Sequence, residues 1–267
     1  MKYFEFGQEH PEIMVLFHGG GMCYEGALPV ARILAKKYHV ILNAYDGFNP
    51  SEPETEYKSA MDEARRMGDY IVENYGGKID ILYGVSYGCR VVNEVLRDER
   101  LTITTTIMDG MSTKDYPDIK SEWGKNLYCF FLTGLFFIVM GRAGEKRMKF
   151  IAKITGRRYE DAKKLIYTKA TWKSWKNQDY YLIGRKTNFE AFKKSDVYIW
   201  HGIKSSVEKK LARNMKEWQD AGYAFTYKIF TDLEHGGLVG EHPEQFLEEV
   251  TKAHENSLKN KISKELF

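Results

Sequence analysis

Three stretches, far apart along the chain, carry groups suited to nucleophilic attack on a carbonyl. The first is Gly84-Val85-Ser86-Tyr87-Gly88. An apolar run, Ile79 to Tyr83, leads into it, and a helical pattern with Val91, Val92, Val95 and Leu96 on one face leads out. A serine on such a sharp strand-to-helix turn presents its hydroxyl above a sheet, and the two glycines remove side chains where strand and helix crowd together. The second stretch is His18-Gly19-Gly20-Gly21, directly after another apolar run. Glycines let backbone N–H groups approach a developing oxyanion, and losing one such donor costs about 2.7–4 kcal/mol of barrier. The N–H groups of Gly20 and Tyr87 form the expected pair, with Gly19 or Gly21 as alternatives to Gly20. The third stretch is Glu234-His235-Gly236-Gly237, after the last apolar run. A serine hydroxyl is a poor nucleophile until a base takes its proton, and imidazole suits neutral pH.

Each stretch also has a plain reading: a chance G-x-S-x-G, an ordinary glycine turn, a structural loop histidine. Their combination, in the order glycine loop, serine, histidine, argues against coincidence. The other histidines fit less well. His10 and His39 lie out of reach, His18 belongs to the glycine loop, His201 ends a strand, His242 opens the last helix and His254 lies within it.

The elements that must position these groups follow from hydrophobic periodicity. Strands are expected at Tyr3–Phe6, Ile13–Phe17, His39–Leu42, Ile79–Tyr83, Leu101–Met108, Val197–Trp200 and Ala224–Phe230. Helices are expected at 28–38, at 55–75 with Gly76-Gly77 as its stop, after Ser86, around Val207, Leu211, Met215 and Trp218, and around Phe246, Leu247 and Val250. Strands alternating with helices imply an α/β fold with a mostly parallel central sheet covered on both faces. Residues 111–195 break the alternation with helical character only. The organisation expected is a core of 1–110 and 196–267 with a helical cap, 111–195, inserted over the carboxyl edge of the sheet, where ligands bind in such architectures.

The serine turn, the His18-Gly19-Gly20-Gly21 loop and the late His235 together resemble the α/β-hydrolase superfamily, and the glycine loop is similar to that of its esterases and lipases. Asp46-Gly47-Phe48-Asn49-Pro50-Ser51 is similar to a loop these enzymes carry after the corresponding strand. The resemblance covers residues 1–110 and 197–255 and leaves out the cap. It implies an acyl-enzyme on Ser86, His235 as base, and a third, acidic group that holds the imidazole in its tautomer. Where the superfamily usually carries that acid, in Gly-x-x-Asp, this chain reads Gly202-Ile203-Lys204-Ser205. Glu208 is the nearest carboxylate there, but Ser205-x-x-Glu208 also fits a helix capping box. Asp109, in Met108-Asp109-Gly110, is the preferred acid, since some lipases of the superfamily place theirs after that strand; an Asp-Gly turn is the plain alternative. The reaction expected is carboxylic-ester hydrolysis on a lipophilic acyl substrate, without metal or organic cofactor. The rival, motivated by the missing Gly-x-x-Asp, is a hydrolase-fold protein that binds a ligand with little or no turnover.

Composition bounds the partners. The chain has 267 residues, enough for one large α/β domain. No opening stretch has the pattern of a signal peptide. Three cysteines, Cys23, Cys89 and Cys129, lack metal-type spacing and suit reduced thiols in a cytoplasmic protein. Net charge is +3, yet sixteen Lys/Arg against five Asp/Glu fall between Arg142 and Lys194. That basic stretch includes Lys146, Arg147, Lys149, Arg157, Arg158, Lys163 and Lys164, and Trp172 and Trp175 among its lysines are either pocket walls or interface anchors. It is either a set of solvated helix faces or a surface for anionic substrates or anionic lipid; no motif accompanies it that would mark nucleic-acid binding. Leu127 to Met140 carries no charge and four phenylalanines. At 14 residues it is shorter than the roughly 20 a membrane span needs, and the expectation is a buried cap helix lining an apolar pocket, with a surface that touches lipid as the alternative.

Overall fold

A computed structural model describes residues 2–112, 115–154, 159–204 and 215–265. Its centre is a seven-stranded sheet in the order β1-β3-β2-β4-β5-β6-β7. These strands are β1 (Lys2–Phe6), β2 (Ile13–Phe17), β3 (His39–Ala44), β4 (Lys78–Val85), β5 (Thr102–Asp109), β6 (Asp196–Gly202) and β7 (Thr226–Phe230). Only β1 runs antiparallel, pairing with β3; every other neighbour is parallel.

The apolar runs are continuous because β2 and β3 are buried on both faces. Alternate residues sort to opposite sides of the sheet. Val15 and Phe17 join Met67, Ile71 and Val92 on one side, while Met14 and Leu16 join Val30, Phe246 and Val250 on the other. Helices α2 (Ala60–Tyr75) and α3 (Gly88–Val95) supply the first layer. Helices α1 (Leu28–Leu34) and α9 (Pro243–Glu265) supply the second, with the short α8 (Gly237–Glu241) after His235.

Several boundaries differ from expectation. Helix α2 starts at Ala60, not Thr55, because the Ser59 side chain caps it by accepting from the Asp62 N–H. Tyr57 is instead held by the cap: its N–H donates to Ser174 Oγ at 3.1 Å and its carbonyl accepts from Asn177 at 2.9 Å. The stop at Gly76 is as expected, with φ at 60°. Strand β6 runs on to Gly202, so His201 lies inside the sheet, fully buried, with Nε2 bonded to the Met111 carbonyl at 3.0 Å. Of the helix expected after β6, Val207 and Leu211 lie outside the described residues, as do Ser205 and Glu208.

Between β5 and β6 the described residues form helices α4 (Glu122–Phe136), continued by a π-helical turn at Phe137–Gly141, then α5 (Glu145–Ile154), α6 (Tyr159–Leu165) and α7 (Trp172–Tyr180). The expected helical insertion is there. The expected burial of its apolar helix is not. Only Cys129, Thr133 and Gly134 of α4 are buried, with Gly141 after it, and most of its large apolar side chains face outward.

Candidate active site

Ser86 sits between the last residue of β4 and the first turn of α3. Its φ is 56°, making it the one non-glycine residue with positive φ among the described residues. An L-residue there costs roughly 1–2 kcal/mol, and the surroundings impose it. The Ser86 N–H donates to the Asp109 carbonyl at 2.7 Å, and the Ser86 carbonyl accepts from Cys89 N–H at 3.1 Å. Both flanking glycines are obligatory. A Cβ on Gly84 would lie 2.6 Å from the Gly88 carbonyl carbon, and one on Gly88 would lie 2.5 Å from the Phe17 carbonyl oxygen. Strand, turn and helix are packed backbone to backbone, which leaves the serine side chain on the cleft side, half-buried.

The glycine loop lies beside it. A Cβ on Gly20 would meet the Tyr87 Cβ at 3.1 Å and the Gln178 Oε1 at 3.0 Å, and one on Gly19 would lie 3.6 Å from the Ser86 Cβ. Gly21, at φ 65°, is pressed against the Trp175 ring. The two segments expected to supply oxyanion donors are thus adjacent. Tyr87 is anchored in turn: its hydroxyl donates to the Gln178 carbonyl at 2.9 Å and pairs with the Tyr57 hydroxyl at 2.9 Å.

His235 follows β7, with Gly236 at φ 64° turning the chain into α8. Its ring lies over Gly110: a Cβ there would be 2.3 Å from Cε1 and 2.7 Å from Nδ1. Gly110 itself has φ 68°. The residue before it, Asp109, is buried at the end of β5, paired in register with Val85 of β4, and accepts a hydrogen bond from the Tyr83 hydroxyl at 2.9 Å. Asp109 is therefore next in chain both to the backbone that holds Ser86 and to the floor beneath His235. Ser86 and His235, about 150 positions apart in sequence, line the same two clefts.

The first cleft, about 530 Å³ including its mouth, is apolar, walled by Met22, Cys23, Val30 and Val239. His18 also lines it. Burial pulls that imidazole down to about 4, so it is neutral at pH 7, with Nδ1–H donating to the Gly19 carbonyl at 3.0 Å. The second cleft, about 890 Å³ with its opening, is lined by Tyr87 and Arg90 from the core, by Asp115 and Tyr116 at the start of the insertion, and by Tyr128 and Leu132 from α4. Helix α7 packs on the glycine loop through Trp175 and Gln178. Its Asp179 accepts from Tyr116 at 2.5 Å and from Thr133 of α4 at 2.6 Å, and burial pushes this carboxyl above its ordinary range.

Sequence reasoning missed three contributors. Gly110 reads in the sequence only as part of a turn, although its left-handed backbone and lack of a side chain make room for His235. Gln178, from the cap, packs on the glycine loop, and nothing local in the cap sequence marks it; Trp175, one of the two tryptophans weighed as pocket walls, packs on the same loop. Tyr83 was read only as strand core.

No protein-family model matches the chain, and no curated protein matches it in sequence. Solved structures do match in three dimensions. A protein from Desulfitobacterium hafniense assigned to the alpha/beta hydrolase family superposes with a TM-score of 0.71 at 18% identity, over 94% of this chain and 99% of that one. A carboxylesterase of the ammonia-oxidizing thaumarchaeon Nitrososphaera gargenis gives 0.66 at 15% identity, over 97% and 95%. A bacterial membrane phospholipase A gives 0.66 at 14% identity, over 96% and 82%.

Proposed function

The chain has the fold of the α/β-hydrolases, and from that premise we propose that it is a serine hydrolase cleaving carboxylic esters of lipophilic acyl groups through an acyl-enzyme on Ser86. The observation that carries the reading is the shared lining: a strained serine and a distant histidine border the same two clefts. In the proposed reaction His235 takes the Ser86 hydroxyl proton as Oγ attacks the ester carbonyl. Negative charge then develops on the carbonyl oxygen beside the Gly20 and Tyr87 backbone. His235 returns the proton to the departing alcohol, a water attacks the acyl-enzyme by the same route, and the carboxylic acid leaves. Asp109, next in chain to the Gly110 on which the His235 ring packs, is assigned the role of holding the imidazole in its tautomer and stabilising its cation.

Support for a lipophilic acyl group comes from the apolar first cleft, whose wall ends at the serine. The second cleft, with Arg90 and Asp115, would take the alcohol portion. The solved relatives described as a carboxylesterase and a phospholipase A fit ester chemistry. His18 is not the base in this scheme: its Nδ1–H is committed to Gly19 and burial keeps it uncharged.

A fluorophosphonate probe tests the proposal. The expected outcome is stoichiometric labelling of the wild type, loss of label in Ser86→Ala, and a fall in ester turnover on the order of 10⁶ in that variant. A folded wild-type protein that takes no label would overturn it and favour a ligand-binding protein without turnover.

A further inference from the structure

The outer face of the cap inverts the usual rule for a helix on a soluble protein. Such helices turn apolar residues inward and polar ones to water. In the middle of α4 polar Thr133 is inside, donating to half-buried Asp179, and the phenylalanines are outside. Trp123 is 74% and Phe131 72% exposed, and Phe130, Leu135, Phe136 and Ile138 are each more than half exposed. Phe150 of α5, 60% exposed, adds to the apolar surface next in chain. A contiguous patch of this kind marks an interaction site.

The charge around it says what occupies it. At the carboxyl end the exposed cations are Arg142, Lys146, Arg147, Lys149 and Lys153, against Glu145, which is paired with Lys149 at 2.6 Å. Arg147 sits on the rim itself, donating to the Ile138 carbonyl at 2.9 Å. At the amino end Lys120 and Lys125 face Asp118 and Glu122, with Lys120 and Asp118 paired at 2.8 Å. A second copy of the chain docking here would bring two basic rims together, whereas anionic lipid complements them at about 1 kcal/mol per cation near the surface.

By length and composition the continuous helical stretch Glu122–Gly141, at 20 residues longer than the 14-residue run read from the sequence, is apolar enough to cross a bilayer, but one side of it is already occupied. Its inner side packs on α7, where Phe137 meets Trp172 at 5.4 Å between ring centroids and Thr133 bonds Asp179. Helix α7 is itself fixed to the core through Ser174 and Asn177. A helix with one side held this way against the domain suits the plane of the interface rather than a span.

We propose that the outer face of α4, together with Phe150, docks flat in the interfacial region of an anionic bilayer, and that the cleft holding Ser86 and His235 thereby opens at the lipid surface. The second half rests on the hydrolase reading; the first does not. It follows from Tyr128 and Leu132, which project from the edge of the same helix into the open cleft. An acyl substrate leaving the lipid would meet the cleft without crossing water.

Co-sedimentation with phosphatidylcholine vesicles, with and without phosphatidylglycerol, tests the docking. The wild type should bind the anionic vesicles and release with added salt. Phe131→Ser with Leu135→Ser should weaken binding at least tenfold while leaving the melting temperature and turnover of a water-soluble ester unchanged. Lys146→Glu with Lys153→Glu should weaken binding only to the anionic vesicles. Ser86→Ala should bind as the wild type does, so docking is read independently of the chemistry. No binding to either vesicle, binding indifferent to both variant pairs, or a wild-type dimer that the Phe131/Leu135 variant dissociates without any vesicle binding would each overturn the proposal.

Discussion

The turn at Ser86 and the face of α4 around Phe131 both put residues where they are costly, but the compensation lies in different places. At Ser86 it is local. Gly84 and Gly88 let β4 and α3 approach within backbone contact, and one hydrogen bond to the Asp109 carbonyl fixes the strained φ. Every contributor but Asp109 lies within five residues. At α4 nothing among the described residues compensates: exposed Phe131 and Leu135 are neighbours of buried Thr133, and the offset proposed for them is a lipid surface. A strained turn shows in the amino-acid sequence as glycines, whereas an uncovered face does not, because apolar residues look alike whether the chain or another phase covers them.

The sharpest way to break the first half of this comparison is at the acid. If Asp109 orients His235, Asp109→Asn should lower ester turnover by about 10⁴ with little change in KM, while Glu208→Gln stays near wild type. The reverse ranking, read from steady-state kinetics, would move the acid to the stretch after β6. The next largest effect is expected at Gly110→Ala. Its methyl would lie 2.3 Å from the His235 ring, on a backbone already at φ 68°. The ring must shift by about an ångström, and such misplacement costs on the order of 10² in turnover. Labelling of Ser86 by fluorophosphonate should slow in parallel. Unchanged kinetics in a folded Gly110→Ala protein would mean that His235 is not the base.

Much of the fold was legible. Every expected strand is present within a few residues, because runs such as Ile13–Phe17 have no other stable place than a doubly covered sheet. The segments that converge at Ser86 and His235 were legible too, since each carries its glycines with it. What was not legible depends on distant contacts. Tyr57 follows the cap rather than joining α2, through Ser174 and Asn177 more than a hundred positions away. Gln178 and Trp175 reach the glycine loop only after the cap folds over. The apolar run 127–140 suited a core helix by composition, and its exposure emerged only from the packing of α4 on α7.

The smallest predicted effect turns the comparison round. Where the cap leaves phenylalanines in water, the core takes in a carboxyl group. Glu63 of α2 is fully buried, with Oε1 accepting from Arg66 at 3.0 Å; Arg66 also meets Asp46 at 2.8 Å and Asp62 at 3.0 Å. Burial raises the Glu63 carboxyl to about 8, outweighing the guanidinium, which acts the other way and is shared among three acids. At pH 7 the folded chain therefore holds a proton that the unfolded chain, titrating near 4.3, has lost. Stability from this group is complete below that lower value and falls as pH rises through about 8. Between pH 6 and pH 9 the wild type should lose roughly 1–3 kcal/mol from this source, or a few degrees of melting temperature. Glu63→Gln keeps an oxygen for Arg66 and has no proton to lose in either state, so its melting temperature should match the wild type near pH 4, exceed it by pH 6 and exceed it most at pH 9. Parallel melting curves for the two proteins across that range would show that Arg66 keeps the group ionised, and that the core shelters an ion pair rather than a neutral acid.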